Sequence, residues 1–108
     1  MTSLDVSVKI GGENYAAVCV AEADCGKGKI MFVRLSDGTV VKEVEVGYNP
    51  DGTAFTKNGT HLIVANEDDR EDRPCKPADR MGGSVSIIDL SNGVDNATLL
   101  QDYLVNWD

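Results

Sequence analysis

Apolar and polar positions in this chain change over in short runs and never hold a helical period across three turns. Asp5-Val6-Ser7-Val8-Lys9-Ile10 alternates strictly, the period of a half-buried strand, and Gly11-Gly12-Glu13-Asn14 closes it with a turn. Tyr15 to Ala21 is continuously apolar, which predicts a strand covered on both faces. Lys29 to Leu35 reads as a third strand, and Ser36-Asp37-Gly38-Thr39 as a hairpin turn whose Asp-Gly supplies positive φ. Val40 to Val46 completes a sheet; there Glu43 and Glu45 alternate with Val44 and Val46, so one face is wet, and Lys42 with the two glutamates guards an open edge. Past Gly47-Tyr48-Asn49-Pro50-Asp51-Gly52 the pattern restarts. Thr53 to Thr56, His61 to Asn66, Ser84 to Leu90 and Leu99 to Val105 are the strands expected of a second sheet, with residues 67 to 82 as the long irregular stretch.

The restart is a repeat. Val20-Ala21-Glu22 finds its counterpart in Val64-Ala65-Asn66, 44 residues on, and Lys29 to Gly38 in Ser84 to Gly93, 55 residues on. An 11-residue insertion between the two strands of the later copy reconciles these offsets. A unit of about 45 residues is the length of one four-stranded propeller blade. The expected architecture is therefore all-β, two consecutive four-stranded antiparallel blades of a β-propeller, one at residues 1–49 and one at 50–108 with its acidic insertion at about 67–82. A blade does not bury both faces alone, and three or so repeats are usually needed for a closed core. Two blades are expected to be a fragment of, or a subunit in, a larger propeller. Their partners are then the rest of that propeller or neighbouring subunits, and the chain is not expected to be a stable free monomer.

Composition narrows the partners. A formal charge of −8 over 108 residues argues against nucleic acid and anionic membrane surfaces, which reward clustered Lys and Arg. It favours cations. No run approaches the ~20 apolar residues of a membrane span, so membrane insertion is not expected, and Met1-Thr2-Ser3-Leu4-Asp5 lacks the marks of a signal peptide. With 42% hydrophobic residues there is enough apolar surface for a core, and 11 glycines suit short strands joined by tight turns.

The candidate chemistry lies in loops. Five carboxylates fall within Glu67-Asp68-Asp69-Arg70-Glu71-Asp72, just where the first repeat has only a short turn. Ca²⁺ takes six to eight oxygens from carboxylates and carbonyls, so Ca²⁺ is the cofactor this composition suits, with Glu67, Asp68 and Asp69 as ligands and Asn66 as a carbonyl donor. The spacing is not that of an EF-hand, and Arg70, Arg73 and Arg80 equally suit a solvated, salt-bridged loop. Cys19 sits in an apolar run and reads as a small core residue. Cys25 and Cys75 each follow the second strand of their own repeat, and loops at equivalent ends of adjacent blades lie side by side, so a Cys25–Cys75 disulfide is expected; two thiols in a reducing compartment are the alternative. Asn58-Gly59-Thr60 and Asn96-Ala97-Thr98 are glycosylation sequons at predicted turns or strand edges. Together the cysteines and sequons point to an extracellular or cell-surface location. Gly26-Lys27-Gly28-Lys29 lacks P-loop spacing and reads as a turn, His61 as an edge or surface residue, and Tyr103 and Trp107 as strand residues packing on a neighbouring blade.

The run from Val46-Gly47-Tyr48-Asn49-Pro50-Asp51-Gly52-Thr53-Ala54-Phe55-Thr56 through Lys57-Asn58-Gly59 to Leu62-Ile63-Val64-Ala65-Asn66-Glu67 resembles the YVTN-type propeller repeat of bacterial surface-layer proteins. With the acidic insertion and Gly83-Ser84-Val85-Ser86-Ile87-Ile88-Asp89-Leu90-Ser91, it looks most like the choice-of-anchor propeller family, which includes mesenchyme-specific cell-surface glycoproteins and alkaline-phosphatase-like bacterial proteins. The likeness is good over residues 46 to 93 and generic before that. It implies secreted or surface-attached seven-bladed propellers several times longer than this chain. Family members keep an Asn-Glu-Gly-Glu-type turn where this chain has Asn66-Glu67-Asp68-Asp69; Asp68 in place of glycine removes backbone freedom and adds a ligand oxygen.

Two functions compete on these grounds. One is a non-enzymatic surface glycoprotein segment with a scaffold or protein-interaction role, a Ca²⁺-holding acidic loop and glycans on its rim. The alternative is part of a metal-dependent, alkaline-phosphatase-like propeller esterase, whose metals would polarise phosphoryl oxygens and activate water. The chain offers a single His and no Ser-His-Asp grouping, so no catalytic residue is named and catalysis by these residues alone is not expected.

Overall fold

The computed structural model describes residues 4–21, 27–48, 50–67 and 83–104, with backbone alone for 101–104. Among the described residues eight strands form two four-stranded antiparallel sheets, each with its strands in chain order. The first comprises β1 (Leu4–Val6), β2 (Tyr15–Val20), β3 (Lys29–Arg34) and β4 (Thr39–Glu45). The second comprises β5 (Pro50–Phe55), β6 (His61–Asn66), β7 (Ser84–Asp89) and β8 (Thr98–Leu104), with one 3-10 turn, Val94–Asn96, ahead of β8. No α-helix occurs among the described residues. The chain is all-β, as the alternation predicts, and neither sheet closes on itself.

Two differences from the sequence reading have structural causes. β1 ends at Val6 because the next backbone groups are taken by a polar clamp: the Ser7 hydroxyl accepts from the Tyr15 N–H at 2.9 Å, and the Asn14 amide donates to the Ser7 carbonyl at 2.9 Å. Ile10 makes only an isolated bridge to Glu13. β5 starts three residues before the expected Thr53, at a buried Pro50 paired with Asn66. Proline is tolerated there as the first residue of an edge strand, and a bulge at Asp51 absorbs the irregularity.

The strand registers show how far the repeat extends. The cross-strand row Leu4, Val18, Met31, Glu43 in the first sheet has its counterpart in Thr53, Val64, Ser86, Asp102 in the second. The row Val6, Ala16, Val33, Val40 corresponds in the same way to Phe55, Leu62, Ile88, Leu99. Both sheets carry a bulge at the same point, between Phe32 and Val33 and between Ile87 and Ile88. The β3–β7 offset is the 55 residues read from sequence, whereas β2 and β6 correspond at 46 instead of 44, so that Val18 matches Val64. A two-residue slip leaves every side chain on its own face, because the period of a strand is two.

The sheets stack with β1 and β2 near β5 and with β4 near β8 and the 3-10 turn. One buried cluster joins them, with Ala17, Cys19, Ile30, Phe32, Val44 and Val46 from the first half and Leu62, Val64, Ile88, Leu90, Val94 and Ala97 from the second. Phe32 meets Phe55 across the gap, ring centroids 6.4 Å apart and tilted by 59°. The Asp5 carboxylate of β1 accepts from the Phe55 N–H at 3.0 Å, tying the first strands of the two sheets together.

The two sheets do not meet through the same face. Ala17, Cys19, Ile30 and Phe32, buried on the first sheet, correspond by register to Ile63, Ala65, Val85 and Ile87, which face away from the interface on the second. Leu62, Val64, Ser86 and Ile88, buried on the second, correspond to Ala16, Val18, Met31 and Val33, on the far side of the first. The packing is head-to-tail, and a two-fold sandwich would instead join equivalent faces.

Candidate functional site

The ends of β6 and β7 flank the acidic insertion, and a buried polar cluster holds them together. Asn66 closes β6 with 3% of its surface exposed. Its amide nitrogen donates to the Ser84 hydroxyl at 3.1 Å and to the Ser86 hydroxyl at 2.9 Å, both on β7. Its Oδ1 is buried and has no hydrogen-bond partner among the described residues, and the same holds for Oγ1 of Thr53 on the neighbouring β5. Gly47, between the sheets, leans directly on this amide: a Cβ there would lie 2.6 Å from Ser84 Oγ and 2.7 Å from Asn66 Nδ2. Gly28 is similarly pressed against Pro50, and its N–H donates to the Gly47 carbonyl at 2.9 Å. The loop between β4 and β5 is thus locked to the base of the insertion by two glycines with no room for a side chain.

Of the residues expected to hold a cation, Asn66 and Glu67 lie within the described part. Asn66 turns its side chain into the inter-sheet layer, while Glu67 is exposed at the strand end. Asp68 and Asp69 lie outside the described residues, as do Cys25 and Cys75 of the expected disulfide. Among the described residues no three His, Cys, Asp or Glu side chains gather in a group able to hold a metal. Cys19 is fully buried on β2, the position expected of a small core residue. The Asn66–Ser84–Ser86 cluster went unread in the sequence. Its trace there was the pair Ser84 and Ser86 on one face of a strand whose next positions are Val85, Ile87 and Ile88.

The opposite end of the sheets carries the sequons. Asn58 is exposed in the β5–β6 turn, and its Oδ1 accepts from Thr60 Oγ1 at 2.8 Å, Thr56 Oγ1 at 3.0 Å and Thr60 N–H at 3.2 Å. Its Nδ2, the atom a glycan would join, donates no hydrogen bond to any described residue. Gly59 follows at φ 73°, a conformation that favours glycine, and packs on Val8 and Ile10 of the preceding repeat. Asn96 is exposed too, but its Nδ2 donates to the Asn92 carbonyl at 3.0 Å inside the 3-10 turn. A shallow groove of about 360 Å³ separates the two repeats here, bordered by Lys9, Ile10, Asn58, Thr60 and Ser91. His61 pairs with Asp89 in the β6–β7 ladder, and its Nδ1 lies 2.9 Å from Thr60 Oγ1. The Asp89 carboxyl is held below its ordinary range, first by the Ser91 hydroxyl at 2.6 Å and then by the Ser91 N–H.

The β3–β4 hairpin has its own ionic lock. Arg34 meets Asp37 through Nε–Oδ1 at 3.2 Å and Nη2–Oδ2 at 3.0 Å, and the Thr39 N–H donates to Asp37 Oδ1 at 3.0 Å. The Arg34 hydrogen bond, aided by that of Thr39, lowers the Asp37 carboxyl to about 2. Gly38 adopts φ 73° beside it, the positive φ that Asp-Gly was expected to supply.

A family model for the choice-of-anchor I domain matches residues 2–103, spanning both sheets. The chain belongs to the choice-of-anchor I domain family. No curated protein and no solved structure matches it. In this choice-of-anchor I domain, no helix among the described residues is long and apolar enough to cross a membrane, which says nothing of spans built from strands.

Proposed function

We propose that this choice-of-anchor I domain is a non-enzymatic scaffold segment of a β-propeller at the cell surface or in the extracellular space, each sheet being one blade. The observation that carries the reading is the packing through non-equivalent faces. A heterologous contact leaves one face of each kind open at the two ends, so the same contact repeats in either direction and closes into a ring when the rotation allows. Both open faces carry exposed apolar positions, Leu4 60%, Val6 51% and Val40 45% on one and Ala54 and Ala65 on the other, with Lys29, Glu43 and Glu45 at the border of the first and His61 and Asp89 at the border of the second. Family membership supports a surface or secreted setting. It is in that setting that the Cys25–Cys75 disulfide and glycans at Asn58 and Asn96 belong.

The acidic insertion is the part of the segment that meets solutes. In this reading Glu67, Asp68 and Asp69, with Asn66 as a carbonyl donor, hold Ca²⁺. The buried Asn66 side chain fixes the strand end from which the three carboxylates depart. Titration calorimetry tests this. The expected result is saturable Ca²⁺ binding at or below millimolar concentration, lost in the triple variant Glu67→Gln, Asp68→Asn, Asp69→Asn. No heat at millimolar Ca²⁺ with the fold intact would remove the cation from the proposal.

A further inference from the structure

The inference rests on the propeller-segment reading and concerns what covers the two open faces. The outer face of the second sheet, with Ile63, Ala65, Val85 and Ile87, is the register counterpart of the face that the first sheet buries inside the molecule. The outer face of the first sheet, with Val6, Ala16, Val18 and Val33, is the counterpart of what the second sheet buries: Phe55, Leu62, Val64 and Ile88. The chain therefore carries both halves of its own interface twice, once joined and once open. We infer that a second copy of this chain docks head-to-tail, laying the outer face of its first sheet on the outer face of the second sheet.

Position-by-position agreement argues for this occupant over an unrelated partner. Val6 stands where Phe55 stands and would meet the counterpart of Phe32, which is Ile87. Ala65 stands at the position of Cys19, which is fully buried in the existing interface. The residues in these places are small or aliphatic on both sides, as close sheet-on-sheet packing requires. The polar rim lies toward β4: Lys29 of β3 and Glu43 of β4 pair at 2.9 Å on the first sheet, at the margin of the apolar rows.

The head-to-tail arrangement makes a prediction that ordinary self-association does not. Each contact needs one first-sheet face and one second-sheet face, so a substitution on either face removes it from every copy. Val6→Arg and Ala65→Arg sit at exposed positions and change one face each. By light scattering on a sizing column the unsubstituted chain should associate as its concentration rises. Each variant alone should run as a monomer, while an equimolar mixture should give a 1:1 dimer, because each variant keeps the face the other has lost. Leu4→Arg and Ala54→Arg, also exposed, form a second pair should either first variant lose its circular-dichroism strand signal. An unsubstituted chain that stays monomeric, a single variant that still dimerises, or a folded mixture that stays monomeric would each overturn the inference. If the Phe32–Phe55 contact persists in those monomers, self-association alone has failed; if that contact is absent, the packing on which the propeller reading depends has failed too.

Discussion

Replacing Gly47 by alanine places a methyl group where there is none to spare, and its effect can be worked out from three atoms. The new Cβ would sit 2.6 Å from Ser84 Oγ, 2.7 Å from Asn66 Nδ2 and 2.8 Å from Asn66 Cγ, against the 3.4 Å or more of ordinary contact. The Asn66 amide has to move, and with it go the bonds at 3.1 and 2.9 Å to Ser84 and Ser86. Each is worth about 1 kcal/mol net, and a buried amide left unsatisfied adds a desolvation penalty of ~1–3 kcal/mol, so Gly47→Ala should cost about 3–5 kcal/mol. That is a large share of the roughly 5–15 kcal/mol that holds a domain together. Asn66→Ala removes the same bonds and two of the three close contacts, and the third, Ser84 Oγ, is a side-chain atom free to rotate away once the amide no longer holds it. In that background the Gly47 substitution should cost close to nothing, or stabilise by up to ~1 kcal/mol through the loss of glycine's freedom in the unfolded chain. Urea unfolding of the four members of this cycle, built on the association-deficient Ala65→Arg chain, should then give a coupling of at least about 3 kcal/mol. Additivity within ~0.5 kcal/mol would refute the reasoning, since it is the behaviour of residues that do not touch.

Two further predictions concern the turns. Because the Asp37 carboxyl is lowered to about 2 in the folded chain, the stability it contributes is present above its unfolded pKa and is lost as pH falls from near 4 toward 2. A carbon-detected titration should show a midpoint near 2 that returns toward the ordinary carboxylate range in Arg34→Ala; an unchanged midpoint would rule out Arg34 as the leading cause. In a eukaryotic secretory host Asn58 should carry a glycan at higher occupancy than Asn96, whose Nδ2 is engaged by the Asn92 carbonyl. Peptide mass mapping before and after deglycosylation reads both sites, and Asn96 modified with Asn58 bare would contradict the order.

Most of the sheet architecture was legible because alternation and turn residues act locally. Asp37-Gly38 and Gly59 mark hairpins wherever they fall, and an apolar run such as Ile30-Met31-Phe32-Val33, with its β-branched and aromatic residues, declares a strand unaided. Strand ends were less legible, since Ser7 and Pro50 settle them through partners far along the chain: Tyr15 for one and Asn66 for the other. The offset of 44 missed the register by two because Val-Ala occurs twice by composition, whereas the ladder aligns Val18 with Val64. A two-residue slip, however, leaves each side chain on the same face of its strand. The buried Asn66–Ser84–Ser86 cluster was not legible for a different reason. Asn66 stands beside a run of carboxylates and so reads as part of them, and only the β6–β7 ladder reveals that its side chain points away from the loop. Gly47 likewise reads as one more turn glycine until the second sheet is laid against it.

The non-equivalence of the packed faces is most directly tested by through-space NMR contacts in the monomeric Ala65→Arg chain. The account predicts cross-peaks between the ring protons of Phe32 and Phe55, whose centroids lie 6.4 Å apart, and none between Phe32 and the methyl groups of Ile87. Cross-peaks from Phe32 to Ile87, its own counterpart on the second sheet, would mean that the two sheets meet through like faces and would contradict it.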